Sequence, residues 1–461
     1  MAAVGALFRI YTPSAQAEEA AGALSPSGPS SSFDYKKYAG ATVTLQVSKH
    51  PYIDALKANV SKFTDLTGIN VTFDMQPEAL YFDKIKFGLA QKSSDFDVFM
   101  LGAYMTWQYG PAGWVEDLGP YIRDPGKTAP EFDVADIFPN VLANDSWDNK
   151  PGDKPGTGSA HQWALPWGWE SYMLTYRRDI LKKHGLAVPR SYPQILSVCQ
   201  KLKTLEPKMI PFLSRGGLNW DTVHPGFLSG FSAFGGQDFD GQLRPTMNSQ
   251  SSIEFTDLFT KLNRECGMPG GQWPSVGVFD LPHAVGNGDA VMYHDASVLG
   301  FFTDLPGGSK LGGQGKIAFA PSPGRDGPSD SNMWIWSLGL NAGSKQKDAA
   351  WLFMQWAAGK DHLLFAGTKF GHADTIRKSV FNNPAYQQRM ADRAGYVPTF
   401  NAQAEKSRLM FTPQQEFFAV TDRWAGALQD VYAGRMTSEA ALNRCVQRIS
   451  QEIELRPAIS G

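Results

Sequence analysis

Between Thr42 and Leu101 the sequence alternates apolar stretches of period two with stretches of helical period, and this rhythm constrains the fold more than any other feature. Thr42–Ser48 places Val43, Leu45 and Val47 on one face, the pattern of a strand. Tyr52–Thr67 carries Ile53, Leu56, Val60, Phe63 and Leu66 at helical spacing, and Gly68 supplies its stop. Val71–Met75 reads as a second strand, Ala79–Gln91 as a second helix and Asp97–Leu101 as a third strand. Strands and amphipathic helices in alternation predict an α/β fold built on a largely parallel sheet covered by helices. Ligands of such sheets gather beyond the carboxyl ends of the strands, here the loops Ser48–Tyr52, Gln76–Tyr81 and Gly102–Gln108.

The chain has 461 residues, more than the roughly 250–300 at which single cores stop growing, so two lobes are expected. The hand-over between them falls in Trp163–Leu186, WALPWGWESYMLTYRRDILKKHGL. We read it as a strand closed by Pro166, a site loop carrying Trp167, Trp169 and Glu170, a further strand, and a basic helix ended by Gly185. Beyond it, Ser191–Leu205 is a helix and Ile210–Arg215 a strand that delivers Arg215 into a glycine turn. Ser251–Cys266 and Ala290–Asp295 repeat helix and strand, and Lys316–Pro321 is a short strand. In the strand Asn332–Leu340, Trp334 and Trp336 share a face. Gln346–Gly359 and the tail from Pro413 to Leu455 are helical.

Charge excludes some partners. The net charge is −2 with 19% charged residues, which favours neither nucleic acid nor an anionic membrane surface. Ala2–Phe8 and the small-x-small pattern Ala15-Gln16-Ala17 read as the remnant of an export signal, followed by a flexible linker to about Phe33–Asp34, so export to a bacterial periplasm is expected. Cys199, Cys266 and Cys445 lack metal-ligand spacing and leave open one disulfide with a free thiol or three buried thiols. Phosphate-cradling loops, dinucleotide fingerprints, zinc-binding histidine pairs and nucleophile elbows do not occur, and no metal or cofactor is expected. A carbohydrate-active enzyme remains the rival class, because Glu170 and Asp295 could flank a glycosidic bond.

What the chain does hold is acids and a guanidinium at strand ends beside tryptophans: Glu170, Arg215 and Asp295 near Trp167, Trp169, Trp334 and Trp336. Sugars and polyols present C–H faces that pack on rings and vicinal hydroxyls that take paired hydrogen bonds, so a hydroxyl-rich solute wants both surfaces at once.

Six stretches in order, TGINVTFDMQP, SSDFDVFMLGAYMTWQYGPAGWVEDLGPYI, ALPWGWESYMLTYRRDILKKHGLAVPRSYPQI, GDAVMYHDASV, NMWIWSLGLNAGSKQKDAAWLFMQWAAG and TIRKSVFNNPAYQQ, resemble the extracellular solute-binding proteins of bacterial ABC importers. The resemblance is to the group of maltose-binding protein and, more closely, its sugar- and polyol-binding relatives. It implies a two-lobed periplasmic-binding-protein fold with hinge strands and a central ligand cleft. The first lobe would span residues 35–164 and resume at 318–367; the second would take 165–317 and, with the C-terminal helices, 368–461. Residues 1–34 would be signal remnant and linker, and Lys316–Pro321 the second crossover. Family binding positions map onto His50, Tyr52, Tyr81, Tyr104, Glu170, Arg215, Asp295, Trp334 and Arg377. Around Arg215 the sequence departs from the polyol-binding pattern, reading RGGLNWD, so Trp220 joins Trp167 among the candidates. His372-Ala373-Asp374 departs as well. The partners implied are a small sugar or polyol and the permease subunits of an ABC transporter, with the protein itself a monomer. An anionic sugar or glycerol derivative is the alternative solute, since Arg215, Arg377 and His50 or His372 could meet an anion. Replacing Glu170 or Arg215 by Ala is expected to weaken binding by roughly tenfold and to leave unliganded stability nearly unchanged.

Overall fold

The computed structural model describes residues 33–157, 160–391, 393–404 and 406–453, so the export-signal pattern and the linker as far as Ser32 lie outside the described residues. β1 (Thr42–Ser48), α1 (Pro51–Thr67), β2 (Asn70–Gln76), α2 (Glu78–Ala90) and β3 (Val98–Gly102) follow one another as the alternation requires. β1 lies between β2 and β3 and is parallel to both. Local sequence suffices for α1. His50 caps it by accepting the Tyr52 N–H through Nδ1 at 3.3 Å, Pro51 opens its first turn, and Gly68 ends it at φ 71°.

The central stretch differs from the reading as strand, loop and strand: Leu165–Arg177 is one unbroken strand of 13 residues, β4. The elements that place its neighbours are α3 (Tyr192–Leu205), β5 (Ile210–Leu213), α4 (Gln250–Cys266), α5 (Asp280–Asn287), β6 (Ala290–Ala296), α6 (Ser297–Thr303), β7 (Ile317–Ala320), β8 (Ser331–Leu340), α7 (Lys347–Ala357), α8 (Lys360–Lys369), α9 (Phe417–Tyr432) and α10 (Ser438–Glu452). β4 stays extended because it has partners along its length. Residues from Leu165 to Ser171 pair antiparallel with β8, and those from Tyr172 to Arg177 pair with β6 and β7. Pro166, read as a strand end, is accommodated where the register with β8 shifts between Trp336 and Ser337.

The strand order is β2-β1-β3-β8-β4-β6-β5, with β7 also on β4. Its ends are parallel and its middle antiparallel, so the sheet is mixed rather than largely parallel. Lys316–Pro321, expected as the second crossover, forms β7 and pairs with the second half of β4. The strand that runs between the halves alongside β4 is β8. It starts with the Asn332 N–H on the Ser229 hydroxyl at 3.0 Å and ends paired to β3. Where β4 passes from one half to the other, serine hydroxyls accept its amides: Ser297 takes the Ser171 N–H at 3.3 Å and Ser331 the Tyr172 N–H at 2.7 Å.

Helices cover each half. α7 packs on β1 and α1 in the first, while α4 packs on α3, α9 and α10 in the second. All three cysteines are free and buried, with Cys199 of α3 meeting Cys266 where that helix lies on α4. Among the described residues no helix is long and apolar enough to cross a membrane.

Candidate functional site

The register of β4 against β8 builds the site. Trp334 lies opposite Glu170 and Trp336 opposite Gly168, so Trp334, Trp336 and Glu170 project from the same side. The backbone leaves no slack there. A Cβ on Gly168 would sit 2.5 Å from the Tyr52 ring, and one on Gly102 would sit 2.0 Å from the Trp334 ring. Alternation sends Trp167 and Trp169 to the opposite face, where their indole N–H groups donate to Ala357 O at 3.1 Å and Thr375 O at 3.0 Å. Trp167, a candidate from sequence, therefore belongs to the packing behind the sheet.

A small chamber of about 20 Å³ opens on the Trp334 face, room for about one or two water molecules. Trp220 stacks on Trp334 at 5.2 Å and 17°, and Trp336 meets Trp334 edge to face at 5.1 Å. His50 lies beside Trp336, Glu170, Arg215 and His224 supply the titratable groups, and Val278, Phe279, Val298 and Leu299 close the side toward the second half. A groove of about 680 Å³ flanks the chamber on the Trp220 side and one of about 420 Å³ on the Phe279 side.

Glu170 is almost fully buried and accepts from the Trp336 indole N–H at 3.1 Å. Burial, reinforced by Asp374, pushes its carboxyl well above the usual range, against the pull of Arg215. Asp374 lies behind it, taking the Ser297 hydroxyl at 2.7 Å and the Tyr396 hydroxyl at 3.0 Å, and burial lifts it to about 7. Burial also holds His50 down at about 3, so its ring is neutral.

Arg215 lies two residues beyond the end of β5. Its Nε and Nη2 donate to the two Asp295 oxygens at 2.9 and 2.6 Å, and its Nη1 donates to Asp221 and to His224 Nε2, the latter at 3.2 Å. One guanidinium N–H stays uncommitted. Accepting at Nε2 leaves the His224 proton on Nδ1, where it faces the Tyr172 hydroxyl at 2.9 Å. Burial and the adjacent guanidinium keep His224 neutral against the pull of Asp221. Burial also opposes charge on Asp221, yet the Arg215 guanidinium outweighs it and holds that carboxyl low. With two carboxylates on one guanidinium, the cluster carries a net negative charge.

Of the candidates read from sequence, the chamber wall unites His50, Glu170, Arg215, Trp220 and Trp334. Others take positions one layer back. Asp295 is wholly buried and engaged by Arg215. Tyr52 lies against His372 at 3.6 Å and 7°, beneath Gly168. Tyr81 donates to Gln46 O and Met100 O at 3.0 and 2.6 Å, tying β1 to β3, and Tyr104 donates to Met333 O at 2.8 Å. Arg377 donates from Nε to Ala358 O and from Nη1 to Phe132 O and Asp133 O, over the Phe132 ring and 3.9 Å from Asp136, so it does not line the chamber. The sequence reading missed His224, Val278, Phe279, Val298 and Leu299, which come from loops and helix starts without a periodic signal, and undervalued Trp336, which the i, i+2 spacing with Trp334 marks. Among the described residues no group of His, Cys, Asp and Glu has the arrangement of a metal site.

A profile of the family described as bacterial extracellular solute-binding protein matches residues 49–362. The chain belongs to that family. Among solute-binding proteins, the erythritol/L-threitol-binding protein of Mycolicibacterium smegmatis is 37% identical over 410 residues, covering 87% of this chain and 84% of that one. The mannitol-binding protein of Pseudomonas aeruginosa is 26% identical over 288 residues, 62% of this chain and 61% of its own. The solute-binding fold is shared with a ribitol-bound ABC transporter solute-binding protein of Agrobacterium radiobacter at a TM-score of 0.77 and 22% identity, covering 90% of this chain and 99% of that one. Maltose-bound MalE3 of T. maritima superposes at 0.76 with 20% identity, covering 90% and 100%. The fold is thus the two-lobed one.

Proposed function

We propose that this solute-binding protein captures a small, uncharged, acyclic polyol in the chamber between its lobes and delivers it to the permease of an ABC importer. The observation that carries the reading is the chamber's make-up: a tryptophan wall faces a buried carboxyl and a guanidinium already matched by two carboxylates. Rings take the C–H edge of a carbon chain, while the Glu170 carboxyl and the remaining Arg215 N–H take hydroxyls. An anionic sugar or glycerol derivative would meet a cluster with surplus negative charge, so the alternative solute is disfavoured. The M. smegmatis relative's name, a binder of four-carbon polyols, supports the same size class.

The ligand-contacting residues on this reading are His50, Glu170, Arg215, Trp220, Trp334 and Trp336, with Asp295, Asp221 and His224 orienting Arg215. The lobes divide at Ser171–Tyr172 in β4 and near the start of β8. At about 20 Å³ the chamber is smaller than any sugar, so a solute enters by parting the lobes and is held when contacts from both favour the closed form. Turnover is no part of the reading: both oxygens of Asp295, the carboxylate considered as Glu170's partner across a bond, are engaged by Arg215. The protein works as an exported monomer in the periplasm, without nucleic acid or cofactor.

A thermal-shift and calorimetric screen tests this with tetritols, pentitols, hexitols, cyclic monosaccharides, disaccharides and polyol phosphates. A ligand that binds only the folded state raises the melting temperature by mass action. Selective stabilisation by short neutral polyols is expected, and Glu170→Ala weakens it by about tenfold or more. A protein that melts cooperatively and responds to phosphorylated but not neutral polyols sinks the proposal.

A further inference from the structure

Phe279 stands between two spaces. It lines the central chamber and also the groove of about 420 Å³, and among the described residues it is the one shared by both linings. The groove runs between the start of α1, at Pro51 and Asp54, and the second lobe, at His283, Phe302 and Leu305. Its surface has the same character as the chamber's, aromatic faces beside groups that can exchange hydrogen bonds with hydroxyls. A carbon chain longer than the chamber would find compatible surface there, were the wall absent.

The opposite end is closed differently. Trp220 and Val278 line both the chamber and the groove of about 680 Å³. Trp220 is pinned by its ring stack on Trp334 and by its backbone N–H on the Asp422 carboxylate at 2.9 Å. Phe279 is half-buried and occupies the N-cap position of α5 without a side-chain hydrogen bond, so its ring is not what starts that helix.

We infer that Phe279 is the end wall that sets the length of solute this protein accepts, and that removing its ring joins the chamber to the groove beyond and admits longer chains. The inference rests on the polyol reading above and names what selects within that class. A single apolar group at a pocket wall typically changes discrimination by roughly ten- to two-hundred-fold.

Isothermal titration of the wild type, Phe279→Ala and Phe279→Leu with erythritol, mannitol and maltose tests it, with unliganded melts to monitor folding. Phe279→Ala is expected to shift the ratio of mannitol to erythritol affinity toward mannitol by about tenfold or more, with Phe279→Leu moving the same way by less. Should the alanine variant fail to fold, the leucine variant, which keeps most of the packing, supplies the reading. An unchanged ratio in variants that still bind erythritol overturns the end-wall role while leaving the polyol reading intact. Equal wild-type affinity for erythritol and mannitol likewise overturns it, and a wild type that binds no polyol removes both.

Discussion

Replacing Arg215 by alanine separates binding from stability, and the structure reverses the expectation drawn from sequence. Read as a surface of the cleft, Arg215 looked removable without harm to the unliganded protein. In place, it is buried and donates to both oxygens of wholly buried Asp295, to Asp221 and to His224. Deleting one partner of a buried ion pair typically costs about 3–5 kcal/mol, because the remaining charge is left without compensation. For a cooperative unit the size of one lobe, each kcal/mol moves the melting temperature by roughly 2–4 °C, so a fall on the order of 10 °C is expected without any ligand. The loss should depend on pH with a definite sign. Asp221 has its carboxyl held low in the native protein by the guanidinium, so its stabilisation is full above the unfolded carboxylate range and is lost as pH falls from there through the lower folded-state value. Without Arg215, the buried acids favour protonation, and the variant gains relative to wild type as pH drops. Calorimetric melts at about pH 7.5 and about pH 4.5 check this, with Arg215→Lys as a variant that retains charge but not the fork. An alanine variant melting within about 2 °C of wild type at the higher pH would refute the assignment of Arg215 as the clamp of this cluster.

Other outcomes follow from the same geometry. Gly102→Ala forces a methyl into the Trp334 ring, costing about 1–3 kcal/mol by overpacking and displacing the chamber wall; calorimetry should show polyol affinity lost at temperatures where the variant is still folded. Asp374, at about 7 in the folded state against 3.8 as a free group, holds a proton that the unfolded chain has released. Its contribution is therefore full below about pH 4 and declines as pH rises toward 7, by about 4 kcal/mol at most, and Asp374→Asn should flatten that slope in urea titrations across this range. Tyr81→Phe strips the donor from two buried carbonyls of the first lobe, so chemical denaturation should register a loss of about 1–3 kcal/mol with polyol affinity unchanged.

Some of this molecule could be read directly from its residues. The alternation from β1 to β3, the stop of α1 at Gly68, and the shared face of Trp334 and Trp336 are local properties, set by side-chain period and backbone preference within a few residues. Glu170 and Arg215 stood out in the sequence, because an acid or a guanidinium amid tryptophans is costly unless it meets a partner.

Tertiary structure decided the rest. Proline and glycine in Leu165–Arg177 argue locally for a loop, yet pairing with β8, β6 and β7 keeps β4 extended, and the register with β8 sends Glu170 inward and Trp167 outward. Tyr81, Tyr104 and Arg377 present the same functional groups to the eye as chamber residues do, but they donate to backbone carbonyls of other elements and lie outside the chamber wall. His224, Val278, Phe279, Val298 and Leu299 reach the chamber from separate loops and helix starts. Alternation along a strand is a property of neighbours in sequence, whereas which groups share a cavity depends on contacts across hundreds of residues, and those exist only once the chain has closed on itself.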